Sequence, residues 1–346
     1  MKKIVVVFVS VMGVVVLVVF PKEVSEGISI GLENSVKILV PSLFPFMVLS
    51  SFMIRSNAYE YIGKVFFPLA RIFRLPESAV SAVLLSFIGG FPVGARCVRL
   101  LYENGRINRN EAERMMYFCV CSGPAFLITA VGAMMIGNVM CGVILYVSQI
   151  GSGVILGIIS GFFRKDDNKK KTASSSENET DLINAFIDSS ADGAGAIIGL
   201  TGLVAIFSAA VNVVSSVGCD SRIMMIFLEV TAACKDITGT GGGLWLVSLA
   251  AGYGGMCVHF QIFNLLKDIR ISKIRFEIFR IVNGMLSSLM TYVICKFFDT
   301  SVQTFAISGN MDAEITSTSM VGALSLVIMS GIFLMSLCQK NRTKIF

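Results

Sequence analysis

The stretch from Met140 to Phe163 carries no charged side chain. As a helix rising 1.5 Å per residue it is long enough to cross the ~30 Å hydrocarbon core of a bilayer. Gly153, Gly157 and Gly161 recur along it every fourth residue, which gives one face where another helix can approach closely. Such a segment belongs either in a bilayer or in a large protein core, and composition decides between them. Of 346 residues, 54% are hydrophobic and 15% charged, whereas soluble domains run at about 45–50% and about 25%. A water-soluble fold of this size cannot hide that much apolar surface. The sequence therefore predicts an all-α polytopic membrane protein with the lipid bilayer as its main partner. Much of the +6 net charge lies beside apolar spans, as the positive-inside bias produces, so it is no sign of a nucleic-acid partner.

Several chemistries are excluded by what is sparse. The one histidine, His259, cannot build a His-rich zinc site. The nine cysteines are scattered and form no CxxC; Cys119 and Cys121 read as small core residues. There is no Walker A pattern, and Gly193-Ala194-Gly195-Ala196-Ile197-Ile198-Gly199 fails as a dinucleotide fingerprint because Ile198 stands where the third glycine belongs. Neither a pair of catalytic carboxylates nor a Ser/His/Asp set is evident. The expectation is a protein that is not an enzyme and carries no metal or cofactor.

Five regions divide the chain. Residues 1–23 open with Met1-Lys2-Lys3 and an apolar run to Phe20. No small-x-small site follows, so this reads as an uncleaved first span with its lysines inside. Residues 24–163 form a first repeat. Within it, Pro41 and Pro45 should kink or break a membrane segment ending near Arg55, and Tyr59–Arg74 looks interfacial. Ala79–Ile88 is apolar but too short to cross, and it ends in Gly89-Gly90-Phe91-Pro92-Val93-Gly94 before a helix carrying Arg96 and Arg99. Asn108 with Glu111 forms a capping-box pattern for the next helix, which meets a second break at Ser122-Gly123-Pro124. Residues 164–181, with five basic residues in the first eight, read as a cytosolic linker. Residues 182–300 form the second repeat: an amphipathic lead, a span from about Gly193 to Val214, and a helix Ile223–Asp236. Leu244–Ala251 follows, broken at Gly252-Tyr253-Gly254-Gly255, then Cys257–Leu266, a basic cluster at Lys267, Arg270, Lys273 and Arg275, and a span over about Ile281–Phe298. Residues 301–346 hold a last span, about Ser319–Cys338, and a basic tail.

The halves match in their pattern of breaks. Ser86-Phe87-Ile88-Gly89-Gly90-Phe91-Pro92 aligns with Ser248-Leu249-Ala250-Ala251-Gly252-Tyr253-Gly254. In both, a short apolar helix breaks at Gly-aromatic, resumes, and meets a basic amphipathic segment. Broken backbone at membrane depth is tolerated only where protein or a wet cavity surrounds it. Interrupted hydrophobic segments at matching positions are a pointer to secondary transporters. The expectation is two structural repeats with re-entrant hairpins. Placing the N-terminus and the linker inside inverts the second repeat, at the cost of putting Lys267–Arg275 and the Lys340, Arg342 and Lys344 tail outside.

The motifs also occur in a characteristic order. These are Pro41-Ser42-Leu43-Phe44-Pro45-Phe46, Gly90-Phe91-Pro92-Val93-Gly94-Ala95-Arg96, Leu100-Leu101-Tyr102-Glu103-Asn104-Gly105, Ser122-Gly123-Pro124, Glu229-Val230-Thr231 and Val258-His259-Phe260-Gln261. Together they resemble the sporulation integral membrane protein YlbJ family, of the nucleoside-recognition Gate-domain group. The resemblance implies a membrane protein made in the mother cell of a spore-forming bacterium, in the mother-cell or outer forespore membrane. It also implies a substrate site between two hairpins and passage of dipicolinic acid toward the forespore. The chain departs from the family at Val120 and Cys121, where asparagines are usual, and at Ala232 and Ala233, where Asn-Gly is usual. Those departures imply altered substrate preference or lost transport.

The substrate-binding candidates are Arg96, Ser122, Glu229, Thr231, His259 and Gln261. A guanidinium near a helix start favours an anion, although Arg96 and Arg99 could equally snorkel to headgroups. Glu229 is a lone carboxylate in an apolar helix. It either serves a solute or coupling ion, a proton or sodium, or pairs with Lys235 or Arg222. His259 and Gln261 follow the second break, where they could bond a solute or serve structure alone. Gly89, Gly90, Pro92, Gly94, Gly123, Pro124, Gly252, Gly254 and Gly255 make the breaks. The function expected is transport of a small anionic or heterocyclic solute, dipicolinate or a nucleoside-like compound. A non-transporting scaffold for spore-envelope assembly is the alternative. The Gly153–Gly161 face permits a homo-oligomer and serves internal packing equally well.

Overall fold

A computed structural model describes residues 2–162, 181–218, 221–266 and 269–297. The linker expected over 164–181, apart from Asp181, the last span and the basic tail all lie outside the described residues. So does Lys267 of the basic cluster.

The described chain is helical throughout. An N-terminal helix α1 (Lys2–Val19) precedes α2 (Pro21–Asn34), a π-helical turn (Ser35–Leu39) and α3 (Val40–Arg55). Then come α4 (Tyr59–Val65), α5 (Phe67–Phe73), α6 (Val80–Gly89), α7 (Phe91–Glu103) and α8 (Arg109–Met115). A π-helical segment (Ala125–Ile136) leads to α9 (Val139–Phe162). The second half holds α10 (Leu182–Ser216), α11 (Arg222–Leu228), α12 (Val230–Gly239), α13 (Leu244–Tyr253), α14 (Gly255–Leu265) and α15 (Lys273–Phe297).

Among the described residues, five helical stretches are long and apolar enough to cross a membrane: Pro21–Arg55, Val139–Phe162, Leu182–Ser216, Leu244–Leu265 and Lys273–Phe297. The segments Phe67–Phe73 and Glu77–Gly89 form a pair bent by 100°, a broken span or a re-entrant loop. The protein is an integral membrane protein, and α15 shows why. Its buried face carries Arg280, Asn283, Ser287 and Thr291, whereas Ile278, Val282, Met285, Leu289 and Val293 are exposed. Water would favour the reverse arrangement. In lipid, polar groups turn inward to find partners and apolar ones face the acyl chains.

The first half shows how local sequence is absorbed. The expected disruption at Pro41 and Pro45 is taken up by the π-turn just before them, where the Val40 N–H donates to the Ser35 carbonyl, and Pro45 is accommodated inside α3. On α2, Gly27 and Gly31 lie against α10 so tightly that a Cβ at either would fall 2.5 Å from the Ala209 Cα or 2.7 Å from the Ala205 Cα. The Gly153–Gly161 face of α9 is occupied from within the chain. Gly153 sits under the Phe87 ring, Gly157 under the Phe73 and Phe118 rings, and Gly161 against Arg74. Asn108 and Glu111 form the full capping box of α8.

The two short apolar helices that precede the glycine breaks differ in course. Both α6 and α13 have 10 residues and end at a glycine of positive φ, Gly90 and Gly254. After Gly90 the chain turns back and α7 packs against α6. After Gly254 it continues, so that α13 and α14 lie within one 22-residue spanning stretch.

Candidate functional site: the junction of the helix breaks

Four interruptions of helix meet in the interior, at residues 89–91, 120–124, 228–230 and 252–255. Gly90 adopts φ +85° and ψ −169°, a conformation essentially reserved for glycine. A Cβ there would stand 3.0 Å from the Gly123 nitrogen, so the first break rests directly on the second. Ser122 Oγ donates to the Ala251 carbonyl at 3.1 Å, joining the second break to the last. Gly255 brings its backbone to the third: a Cβ there would lie 3.1 Å from the Leu228 carbonyl oxygen and 3.2 Å from the Glu229 nitrogen.

A helix end inside a bilayer must satisfy its last carbonyls without water, and those of α13 can be followed one by one. Ala250 O accepts from the Gly254 N–H at 2.8 Å, and Ala251 O from Ser122. Gly252 O accepts from Arg280 Nη2 and, at 3.0 Å, from Asn283 Nδ2. Tyr253 O receives Arg280 Nε at 3.1 Å and bonds His259 Nε2 at 3.0 Å. The remaining guanidinium nitrogen of Arg280, Nη1, reaches across to the Val120 carbonyl in the second break. Arg280 is fully buried and stacks over the Phe91 ring of the first break, 5.3 Å from its centroid. One guanidinium thus touches three of the four breaks. Its hydrogen bonds all go to uncharged backbone, and it forms no ion pair with a described carboxylate.

Polar side chains of α9 and α15 extend this junction. Gln149 Nε2 donates to Ser248 O at 3.2 Å and Ser287 Oγ at 3.0 Å, and Ser152 Oγ donates to Asn283 Oδ1 at 2.8 Å. Gln149 Oε1 is buried with no hydrogen-bond partner, an acceptor left open beside Gly252. A Cβ at Gly252 would come 3.1 Å from Gln149 Nε2.

Of the residues singled out in the sequence, Ser122 and His259 touch the junction directly. Glu229 forms the third break rather than lying within one helix. Its backbone is extended (φ −149°, ψ 124°) and its buried carboxylate caps α12, accepting from Thr231 N at 2.9 Å and Ala232 N at 2.6 Å. The pairing considered for it goes elsewhere: Arg222 meets Asp236 at 3.4 Å. Thr231 supplies one of the capped amides. Ala232 supplies the other and Val120 lends its carbonyl to Arg280, whereas Cys121 turns its thiol to the Ser86 carbonyl at 3.6 Å. Gln261 is buried and donates to Cys257 Sγ at 3.3 Å within its own helix. Arg96 faces α3 and α10. It donates to Ser51 Oγ at 3.0 Å and to Asp192 O at 3.1 Å, and Asp192 also pairs with Arg55. Arg99 binds Glu103 at 2.7 Å and the Leu265 carbonyl at 3.3 Å, the far end of α14.

Sequence reasoning missed Arg280 and Asn283. The signal that could have found them is a polar stripe, Arg280, Asn283, Ser287 and Thr291, running down one face of an otherwise apolar span at helical spacing.

Fold and junction together define an all-α polytopic membrane protein whose interrupted helices meet at a buried polar centre. Comparison with known proteins points the same way. The chain is similar to the sporulation integral membrane protein YlbJ of Bacillus subtilis, 22% identical over 320 residues covering 80% of this chain and 78% of the relative. It is also 33% identical over 98 residues to an uncharacterized protein of Methanocaldococcus jannaschii, covering 28% of this chain and 30% of that one. No family model and no solved structure matches. The protein is therefore a membrane protein related to a sporulation integral membrane protein.

Proposed function

We propose that the chain is a secondary transporter or facilitator, not an enzyme, for a small anionic or heterocyclic solute, with a dicarboxylate such as dipicolinate as the leading substrate. The observation that carries this reading is Arg280. A buried cation bonded only to neutral carbonyls is costly, and an anionic solute at the junction would neutralise it. Gln149 Oε1 offers an open acceptor nearby for a ring or hydroxyl donor. The helices α6–α7 and α13–α14 are the moving parts in this reading, two repeats whose breaks at Gly90 and Gly254 act as hinges around the solute. Arg96, held by Ser51 and Asp192 at the α7–α10 contact, would take part by changing partners as the repeats move. The resemblance to YlbJ supports a role in sporulation.

The test is flux into liposomes holding the purified protein, with dipicolinate and nucleosides as solutes. Saturable dipicolinate uptake that falls in Arg280→Met and is partly kept in Arg280→Lys is the expected result. Nucleoside uptake unaffected by loss of the charge would shift the substrate class. Absence of saturable flux for every candidate, with folded protein, would overturn transport and leave the scaffold role.

A further inference from the structure

His259 is the chain's one histidine and is fully buried. Both of its ring nitrogens are engaged. Nε2 lies 3.0 Å from the Tyr253 carbonyl at the last helix break, and Nδ1 lies 2.9 Å from Glu277 Oε1. A carbonyl oxygen only accepts, so Nε2 carries a hydrogen. The contact between Nδ1 and the carboxylate then needs one more proton, on Nδ1 as imidazolium and carboxylate, or on Glu277 as neutral imidazole and carboxylic acid. Without that proton two lone pairs face each other and the contact fails.

The two partners differ in access. Glu277 is 31% exposed and lines an open cavity of about 630 Å³ together with Asn264, Lys273 and apolar residues of α10 and α14. His259 is sealed behind it by the rings of Tyr253 and Phe276, each edge-on at 4.8 and 5.3 Å. A proton entering from the cavity reaches Glu277 first and His259 next, and His259 holds the carbonyl that ends α13. Among the described residues, Lys273 lines the cavity with Glu277 and Arg280 lies about one turn further along α15, while Glu229 at the head of α12 spends its carboxylate on the Thr231 and Ala232 amides. Tyr253 on α13 and Cys257 on α14 are the neutral titratable neighbours. Arg99 of α7 donates to the Leu265 carbonyl at the far end of α14. Arg280 shares the Tyr253 carbonyl with His259, so loss of the His259 bond leaves that carbonyl to the guanidinium alone.

We infer that His259 and Glu277 form a proton-binding site wired to the Gly252–Gly254 hinge, with the proton taken up from the cavity between α10, α14 and α15. Where the transport reading holds, this is the coupling site; the proton site itself does not depend on that reading.

A single histidine allows a direct test. Protein labelled with ¹⁵N only in the imidazole, and purified without a histidine tag, gives the signals of His259 alone. The wild type is expected to pass between two forms with pH as the pair gains and loses its proton. In Glu277→Gln the side-chain amide can donate to Nδ1 with no extra proton, so the imidazole stays in the neutral Nε2–H form across the same range. Wild type and Glu277→Gln in the same form at every pH would overturn the proton site. In liposomes, solute exchange is expected to depend on pH in the wild type and to lose that dependence in Glu277→Gln. Equal pH dependence in both, with the imidazole titrating as expected, would overturn coupling. If no solute moves, the transport reading falls and the imidazole signals still decide the proton site.

Discussion

Replacing Arg280 by methionine removes three hydrogen bonds at once, yet the expected loss of stability is that of about one. A buried acceptor left without a donor costs about 1–3 kcal/mol, and three orphaned carbonyls would come to about three times that. Two of the three are doubly served. Gly252 O keeps Asn283 Nδ2 at 3.0 Å, and Tyr253 O keeps His259 Nε2 at 3.0 Å. Only Val120 O loses the side-chain donor that ties it to α15. Removing a buried charge also returns part of its desolvation cost. Arg280→Met should therefore destabilise by no more than about 3 kcal/mol. Asn283→Leu alone should cost less, because Gly252 O retains Arg280, and Ser152 Oγ retains its own bond to Gln149 O at 2.9 Å. The double variant strips Gly252 O of both donors, so its loss should exceed the sum of the singles by about 0.5–3 kcal/mol. Equilibrium unfolding of the four proteins in mixed micelles measures the cycle. Additive losses, or an Arg280→Met loss already as large as the double, would refute the shared-acceptor arrangement.

Three other substitutions probe separate links. At Gly90, alanine meets both a backbone conformation reserved for glycine and the Gly123 nitrogen 3.0 Å away, so thermal unfolding should reveal a loss of about 1–3 kcal/mol. Glu229→Ala removes the cap of α12 and should cost about 0.5–2 kcal/mol, with Glu229→Gln between it and wild type; equal stabilities of all three would show that the carboxylate does not cap. Gly157→Val drives a side chain into Phe73, whose Cδ1 would lie 2.6 Å from the new Cβ, and should cost about 1–3 kcal/mol. The control is Gly202→Ala, where nothing lies within 4 Å of the added carbon; there helix propensity predicts a gain of up to about 1 kcal/mol.

The sequence announced the breaks that glycine and proline make. Helices are interrupted at Gly90, at Ser122-Gly123 and at Gly254, because a missing Cβ or N–H acts locally and leaves a local mark, whereas Gly94, also expected to make a break, lies inside α7. The break at Glu229 left none. Apolar residues run at helical spacing on both sides of it, with no glycine or proline between, and its extended backbone is held by a side chain capping the next helix. The split of 182–214 into a lead and a span also dissolved, since Leu182–Ser216 is one helix. Arg280 was hidden by its neighbours. It follows Lys273 and Arg275 in sequence, so it reads as the end of a basic interfacial strip and not as the start of a buried polar face. What it binds are carbonyls of residues 120, 252 and 253, and sequence spacing says nothing of which distant backbone a side chain will meet.

The junction also explains why these breaks are tolerable in one another's company. Each interrupted helix exposes carbonyls or amides that lipid cannot satisfy. Four separate breaks would each need their own donors or water. Placed together they serve one another: Ser122 from one supplies Ala251 of another, and Arg280 spans Val120, Gly252 and Tyr253. Sharing has a mechanical consequence. A donor bonded to two breaks cannot follow both if they move apart, so displacement of α13–α14 must either carry the 120–124 segment with it or release Arg280 from one side. In such a displacement Tyr253 O keeps His259 of its own α14 as a donor, whereas Gly252 O would leave both Arg280 and Asn283, which α15 carries. In the transport reading, motion at Gly254 therefore breaks at least that pair of bonds unless α15 moves with α13.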